Sequence, residues 1–348
     1  MIDFSPPLRL RLDGDALVHN WRWLAARSGG AACGAAVKAD GYGLGAAGVV
    51  ARLATAGCRD FFVSNWAEAQ ALMPLAEGIS LSVLHGTRAA DMAVALASPA
   101  RPVLNSREQI LRWRDAGGGA CDVMVDTGMN RLGIAAADIS AGLLDGLRIE
   151  TLMSHLACAD EDSPMNALQR DRFSALAMRC AARRMSLANS AGICLGADYG
   201  FDLTRPGLAL YGGVPRREAA GHIRQVVRPE AQILQRRTVP AGECVGYNAI
   251  FTAPLPIELA MLNLGYADGY WRGFSGTGHA IAADGARLPV IGRVSMDLTA
   301  IRVDAAPALG EEDWVEIGYD LAQAAAASGM SHYELLTGLG RRFERRWG

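Results

Sequence analysis

The chain has 348 residues, of which 51% are hydrophobic and 20% are charged. This length suits one large domain with a smaller one, and this composition excludes a disordered chain. A formal net charge of −2 gives no reason to expect nucleic acid or a membrane surface as a partner. The sequence shows neither a signal-peptide pattern nor an apolar stretch of membrane-spanning length. We therefore expect a cytoplasmic protein.

The cysteines are scattered, odd in number and never spaced as C-x-x-C. The seven positions are Cys33, Cys58, Cys121, Cys158, Cys180, Cys194 and Cys244. This spacing fits neither a disulfide framework nor a zinc site, so we expect small buried thiols and no metal.

Residues 12–225 alternate short apolar runs with stretches of helical periodicity. The runs predict eight strands, at 33–37, 60–64, 80–85, 101–105, 121–125, 149–154, 186–190 and 207–212. Eight strands with intervening helices favour an α/β fold of the (β/α)8 type, a TIM barrel. A doubly wound open sheet is the alternative, but such sheets more often stop at five or six strands.

From residue 226 to 348 the pattern changes to strand-like runs separated by turn residues. One of these runs is GYNAIF, and a helical segment, LAQAAAASG, comes only near the end. The pattern predicts a second, mostly antiparallel β domain. The opening RLRLD predicts a strand in residues 1–11 that joins this second domain.

Lys38 is the only lysine of the chain, and every other basic side chain among the 34 is arginine. It ends the first predicted strand, just before ADGYGLG, and strand ends of this kind face the active site of a barrel. A lysine, unlike an arginine, can become a neutral amine and form an imine. The following turn lacks the spacing of a dinucleotide fingerprint or a Walker A loop. From position alone, an imine-forming lysine and a structural lysine are equally open.

Four further polar side chains lie next to predicted strands: Arg131 and His155 follow strands, Ser190 ends one, and Arg205 stands just before the last one. An arginine at a barrel mouth can bind a carboxylate in bidentate fashion. Arg205 precedes Gly207, where the backbone can approach a phosphate closely, and a late position in the barrel favours such a site. Each residue could equally serve ordinary loop structure, for example an ion pair of Arg131 with Asp126.

Eight motifs in order carry a resemblance that covers nearly the whole chain: AAVKADGYGLGA, DTGMNRLG, SHLACADE, ANSAG, RPGLALYG, VGYNAIF, GYADGY and GRVSMD. The chain resembles the bacterial alanine racemases of the fold-type III pyridoxal-phosphate group. The resemblance implies pyridoxal 5'-phosphate as cofactor and a homodimer with shared active sites. It also implies interconversion of L- and D-alanine, which supplies D-alanine for peptidoglycan.

The family's roles transfer residue by residue. Lys38 resembles the lysine that holds the cofactor, and Tyr247 matches the second catalytic base, delivered from the partner subunit. Arg205 matches the arginine that faces the pyridine nitrogen, and His155 the histidine that links it to the tyrosine. The phosphate cradle corresponds to Tyr42, Ser190, Gly207 and Leu208. The groups for the substrate carboxylate correspond to Arg131 and Met296, and the entrance corridor to Tyr266, Arg272, Arg293 and Asp160.

Three positions depart from the family pattern. Many members carry a carbamylated lysine where this chain has Met124, so we predict no carbamate and expect Arg131 to be held by Asn130, an anion or water. Arg341 falls near the place of a C-terminal tyrosine that touches the cofactor phosphate. Cys158 lies where a smaller residue of the inner corridor is expected.

Other functions remain open on these motifs. A racemase for serine or for a broader set of amino acids would share them all. A decarboxylase of the same fold type, a non-catalytic pyridoxal-phosphate-binding barrel and a lysine-dependent aldolase are further alternatives. The β domain and Tyr247 disfavour the non-catalytic protein, which has a barrel alone.

Overall fold

The computed structural model describes residues 5–348, which form two compact units. The barrel unit comprises Leu17–Leu210 and Val214–Arg224, and the β unit comprises the other described residues. None of the helices in this part of the chain combines the length and the apolar character that a bilayer crossing requires.

The strands are, in chain order, β1 (Leu8–Leu12), β2 (Ala32–Cys33), β3 (Ala35–Ala36), β4 (Asp60–Val63), β5 (Ser80–Val83), β6 (Arg101–Leu104), β7 (Cys121–Met124), β8 (Ile149–Met153), β9 (Ala182–Ser186), β10 (Leu203–Thr204), β11 (Val227–Val239), β12 (Cys244–Val245), β13 (Phe251–Thr252), β14 (Ile257–Leu262), β15 (His279–Ile281), β16 (Arg287–Ile291), β17 (Thr299–Arg302), β18 (Trp314–Ile317) and β19 (Glu344–Trp347). The helices are α1 (Gly14–Arg27), α2 (Lys38–Tyr42), α3 (Ala46–Ala56), α4 (Trp66–Ala71), α5 (Met92–Ala97), α6 (Arg107–Asp115), α7 (Ala136–Ser140), α8 (Pro164–Ala177), α9 (Ser190–Cys194), α10 (Leu321–Ser328) and α11 (His332–Thr337).

The barrel unit is a closed parallel sheet. Strands β3 to β9 pair in sequence order, and β10 pairs with β2. One residue separates β2 from β3, and together these two short strands form the first strand of the barrel. Backbone hydrogen bonds from Gly34 N to Thr204 O (2.9 Å) and from Asp202 N to Met185 O (3.1 Å) close the ring. The predicted TIM barrel with a following antiparallel β domain is confirmed.

Two of the predicted barrel strands were wrong. The strand expected at 186–190 is β9, which ends at Ser186, and 187–189 form the loop into α9, which begins at Ser190. The strand expected at 207–212 is a 3-10 turn, Leu208–Tyr211, and the eighth strand is the short β10. The side chains of Leu208–Tyr211 are buried, and a short buried apolar run has the same composition whether it is a strand or a helical turn.

The β unit is built around the long strand β11, which pairs antiparallel with β14 on one side and with β18 on the other. Strands β14, β17, β16, β15 and β18 complete a ring with it. β1 adds to β11 as an antiparallel neighbour and pairs in parallel with β19. Leu8, Leu10 and Leu12 alternate along β1 and are fully buried, as the two-residue period of a strand requires.

The predicted strand in GYNAIF is also wrong. Tyr247–Ala249 form a 3-10 turn that connects β12 to β13. Asn248 and Ala249 have positive φ angles, 63° and 49°, which a strand does not accommodate. Tyr247 therefore begins a turn and not a strand, and 68% of this residue is exposed.

Candidate active site

Lys38 stands at the carboxyl end of the first barrel strand and opens a left-handed turn. Ala39 and Asp40 both have φ of 52°, and Gly41 and Tyr42 follow at 62° and 54°. L-residues with a side chain disfavour this conformation by about 1–2 kcal/mol each. Strain of this kind persists only where surrounding contacts fix it, and it concentrates at functional sites.

The Lys38 amine lies in a setting that favours its neutral form. Burial lowers the pKa of Lys38 below its usual range, and the nearby positive charge of Arg131 lowers it further, whereas the Glu68 carboxylate acts in the opposite direction. A larger share of this amine is therefore unprotonated at neutral pH than for an exposed lysine.

Arg205 is a buried cation that forms no ion pair with a carboxylate of residues 5–348, although the charge of Asp122 acts on it. Its guanidinium donates to the Ser186 hydroxyl and, over 2.6 Å, to the Ser154 carbonyl oxygen. Burial lowers the pKa of Arg205 to about 10, so that it remains protonated at neutral pH. These two hydrogen bonds fix the orientation of the planar group.

His155 remains uncharged at neutral pH. Burial and the positive charges of Arg205, Arg131 and Lys38 lower the pKa of His155 to about 3. Within residues 5–348 no hydrogen bond joins His155 to Arg205, whose donors go to Ser186 and Ser154. In this structure the link between His155 and Arg205 that the resemblance implies is therefore an electrostatic interaction and not a hydrogen bond.

The residues expected to form a phosphate cradle come together. Ser190 opens α9, and its hydroxyl accepts hydrogen bonds from Gly207 N (2.9 Å) and Ala209 N (3.2 Å). A Cβ atom at Gly207 would lie 2.2 Å from the Tyr42 hydroxyl oxygen, so only glycine allows this approach. Leu208 begins the 3-10 turn beside them.

The Arg131 loop is held through its backbone. The Asp126 carboxylate accepts from the N–H groups of Gly128 (2.8 Å), Met129 (3.0 Å) and Asn130 (3.2 Å). Arg131 itself is exposed and makes no ion pair or hydrogen bond with any residue between 5 and 348. The ion pair with Asp126 considered from the sequence is thus absent from this part of the chain. Met124, at the end of β7, is buried.

The predicted site residues of the β unit gather around two loops. Tyr247 and Arg293 line a pocket of about 390 Å³ together with Leu298. The loop of Tyr266 is bonded to that of Met296, through Ala267 N to Met296 O at 3.0 Å. The Arg272 guanidinium lies 5.1 Å from the centre of the Tyr266 ring.

The remaining predicted positions lie on loops and near the end of the chain. Asp160 is exposed, in a loop whose carbonyl oxygens at Ala159 (3.0 Å) and Glu161 (2.8 Å) accept from Arg216. Arg341 is exposed. Its neighbour Arg342 instead forms ion pairs, with Asp268 at 2.5 Å and Asp297 at 2.8 Å.

Sequence reasoning missed the residues that support the site. Ser154, Ser186 and Glu68 were not singled out. Ser186 ends β9 and Ser154 directly follows β8, so the rule that directs attention to strand ends could have found these two, whereas Glu68 lies on helix α4. The Asp126 contacts to successive backbone N–H groups follow from the turn chemistry of aspartate.

A lysine at the mouth of a TIM barrel, a serine and glycine cradle and a buried arginine together define a class: barrel enzymes that hold a phosphorylated aldehyde cofactor on a lysine. Comparison with known proteins then identifies the family. The models described as "Alanine racemase, N-terminal domain" and "Alanine racemase, C-terminal domain" match residues 12–215 and 226–347. The chain belongs to the alanine racemase family.

Individual relatives are similar in sequence to this chain over nearly their full length. The alanine racemase of Acidiphilium cryptum is 44% identical over 97% of both chains. The biosynthetic alanine racemase of Agrobacterium fabrum is 40% identical and matches 98% of this chain and 94% of its own. Among solved structures, Bartonella henselae alanine racemase with covalently bound pyridoxal phosphate has a TM-score of 0.90 at 34% identity and covers 99% of this chain and 100% of its own.

Proposed function

We propose that this chain is a pyridoxal-phosphate-dependent racemase that interconverts L- and D-alanine. The observation that carries the proposal is the partly buried amine of Lys38, the only lysine, in the same barrel mouth as the Ser190–Gly207 cradle. Full-length similarity to alanine racemases, one of them holding covalent pyridoxal phosphate, supports it.

The residues present fit that cofactor. Lys38 would bind its aldehyde through Nζ, and Tyr42, Ser190 and the backbone of Gly207 and Leu208 would hold its phosphate. Arg205 would face the pyridine nitrogen, and because its guanidinium keeps its proton, it would leave that nitrogen unprotonated. When bound, the cofactor withdraws electrons from the substrate's α-carbon, which makes the α-proton removable.

Racemisation needs one proton carrier on each face of the α-carbon. Lys38 Nζ serves one face and Tyr247 Oη the other: one removes the α-proton while the second supplies its replacement. Arg131 and Met296 hold the substrate carboxylate. Neutral His155 adds no further positive charge beside Lys38. Tyr266, Arg272, Arg293 and Asp160 form the entrance corridor.

We infer a homodimer with shared active sites, in which Tyr247 acts in the partner subunit. Tyr247 belongs to a group of exposed large apolar side chains in the β unit, with Ile250 (50%), Met296 (54%) and Leu298 (36%). Tyr247 and Leu298 line the same pocket, and contiguous exposed apolar surface is typical of protein–protein contacts, so this group supports an interface.

The proposal is tested with the purified wild-type protein and two variants. Wild type should carry a yellow bound cofactor and form D-alanine from L-alanine. Lys38→Ala should lose both colour and activity, whereas Tyr247→Phe should keep the colour and lose most activity. A colourless wild type that binds no pyridoxal phosphate would refute the proposal. Turnover of L-serine and L-arginine beside L-alanine separates it from broader specificity.

Subunit mixing tests the shared site. In a heterodimer of Lys38→Ala with Tyr247→Phe, one site carries both changes and the other carries neither. Random reassociation of equal amounts should restore about a quarter of the wild-type activity, since half the dimers then hold one intact site of two. If Tyr247 acted within its own chain, mixing would restore nothing.

We further propose that the enzyme works in the cytoplasm and supplies D-alanine for peptidoglycan. The seven cysteines are unpaired, as in proteins of reducing compartments. The relatives match a biosynthetic and a catabolic role about equally: the biosynthetic alanine racemase of Agrobacterium fabrum is 40% identical to this chain and the catabolic one is 42% identical to it. Complementation of a bacterium that requires external D-alanine tests the biosynthetic role.

A further inference from the structure

Glu68, on helix α4, connects two strand ends through both of its carboxylate oxygens. Oε1 accepts from the backbone N–H of Ala39 (2.9 Å), the residue after Lys38, and Oε2 accepts from Ser64 N (2.7 Å), just beyond β4. The Glu68 backbone N–H is itself fixed by the Asn65 side chain at 3.0 Å. The carboxylate therefore has little freedom to move.

The segment that Glu68 holds is the strained one. Ala39 and Asp40 are not glycines, yet both adopt left-handed backbone angles. Contacts with other residues must therefore stabilise this conformation. Asp40 Oδ1 accepts from Ala46 N (2.9 Å), which fixes the far side of the turn. The bond to Glu68 fixes the near side, directly next to Lys38.

The same carboxylate is the negative charge in a cationic surrounding. Arg131 and Glu68 act on Lys38 from the β7 loop and from α4, and Lys38 in turn acts on His155 at the end of β8. His155 is neutral, so Glu68 is the group whose charge opposes the effects of burial and of Arg131.

We propose that Glu68 is a positioning residue for Lys38: its carboxylate locks the left-handed turn that aims the lysine and balances the positive charge around the amine. The proposal deepens the proposed function, on which it rests. Two separate effects follow, one on geometry and one on the protonation of Lys38, and each has its own readout.

The single lysine makes the protonation effect directly measurable. Full-length protein labelled with ¹³C at the lysine ε-carbon and freed of cofactor gives one lysine signal, and its pH titration reports Lys38 alone. Glu68→Gln should lower the Lys38 pKa by about one unit, because an opposite charge nearby favours the charged amine. The matched control, Glu77→Gln, changes an exposed glutamate of the same barrel and should leave the titration unchanged. Equal titration curves for the two variants would overturn the electrostatic role.

The geometric effect is measured as the rate at which the emptied protein takes up pyridoxal phosphate. Glu68→Ala removes both hydrogen bonds and should slow uptake about tenfold, the combined net effect of two modest hydrogen bonds. Ala39→Gly relieves the strain of the turn, so combining it with Glu68→Ala should recover part of the loss. Uptake by Glu68→Ala at the wild-type rate would overturn the geometric role. A wild type that takes up no cofactor would refute the proposed function instead, and the lysine titration would still decide on Glu68.

Discussion

The two units present their site residues in opposite ways. In the barrel unit, Arg205 and Tyr42 are buried, and the neighbouring loops are held by hydrogen bonds that their backbone N–H groups donate to Glu68, Asp126 and Ser190. In the β unit, Tyr247 and Met296 are more than half exposed. In the proposed dimer, one unit would hold its part of the site ready within a single chain, while the other would offer side chains that a second chain covers.

This difference predicts which changes remove the cofactor and which remove only turnover. Groups of the barrel unit should control cofactor binding and the protonation of Lys38. Groups of the β unit should control racemisation through assembly. The predictions below test this separation, from the largest effect to the smallest.

Breaking the apolar surface of the β unit should give the largest effect. Ile250→Asp combined with Leu298→Arg places charges at two exposed positions and should convert the proposed dimer to a monomer. Because catalysis depends on placing both proton carriers at one α-carbon, activity should fall at least about 1,000-fold. Light scattering and absorbance should show a monomer that keeps its yellow colour. Met178→Arg, on an exposed methionine after α8, is the control, and an active monomer would contradict the prediction.

Arg205→Glu should change the outcome of the reaction as well as its rate. A carboxyl group opposite the pyridine nitrogen could share a proton with it, which the guanidinium does not do. We expect racemisation to fall about 100-fold, in the range for loss of a fixed charged donor, and transamination per turnover to rise. Pyruvate formed per D-alanine measures this ratio. An unchanged ratio would refute the role of Arg205, and Arg205→Lys, which keeps a cation, serves as the comparison.

Arg131→Gln should shift the pH profile of cofactor uptake by Lys38 in the barrel unit. Burial and Arg131 lower the Lys38 pKa, so removing the arginine should raise it. Cofactor uptake requires the neutral amine, and its rate increases with pH through the Lys38 pKa. The whole profile should therefore move to higher pH. Arg114→Gln, exposed on α6, should leave the profile in place; a shift of the Arg131 variant to lower pH would exclude the proposed sign.

Arg342→Gln should weaken the β unit without touching the barrel unit. Its removal leaves the buried Asp268 carboxylate with only the Gly265 N–H, which should reduce the free energy of unfolding by about 1–2 kcal/mol, since Arg342 is half exposed. Burial raises the pKa of Asp268, and the loss of Arg342 raises it further, so the folded state binds a proton more readily than the unfolded one. The deficit should shrink as the pH falls. Urea unfolding at two pH values measures it, with Arg341→Gln as the unaffected neighbour.

Much of the barrel could be predicted because its strands are short, apolar and separated by periodic helices. The same rule misplaced the last two strands. The apolar run at 207–212 is a buried 3-10 turn and not a strand, and the run at 186–190 begins where β9 ends. Lys38 could be found from its strand-end position, and Arg205 from its place before Gly207 late in the barrel. Their roles toward a cofactor came from the resemblance, because position alone leaves a structural role equally open.

Tyr247 and Glu68 show what local patterns do not contain. Tyr247 lies on a turn with two positive φ angles, and neither the turn nor its exposure leaves a periodic signal. Glu68 contacts backbone atoms of residues 39 and 64, and contacts of this kind do not constrain the side chains at those positions. Only the folded geometry shows which N–H groups it serves.

Strand β1 has a consequence for synthesis on the ribosome. Leu8, Leu10 and Leu12 bury their side chains only once β1 lies between β11 and β19, strands that emerge more than 200 residues later. The barrel's own strands are complete by then, because the last of them, β10, ends at Thr204. A nascent chain stalled before β11 should therefore carry an apolar strand without its neighbours, a suitable target for a chaperone during translation.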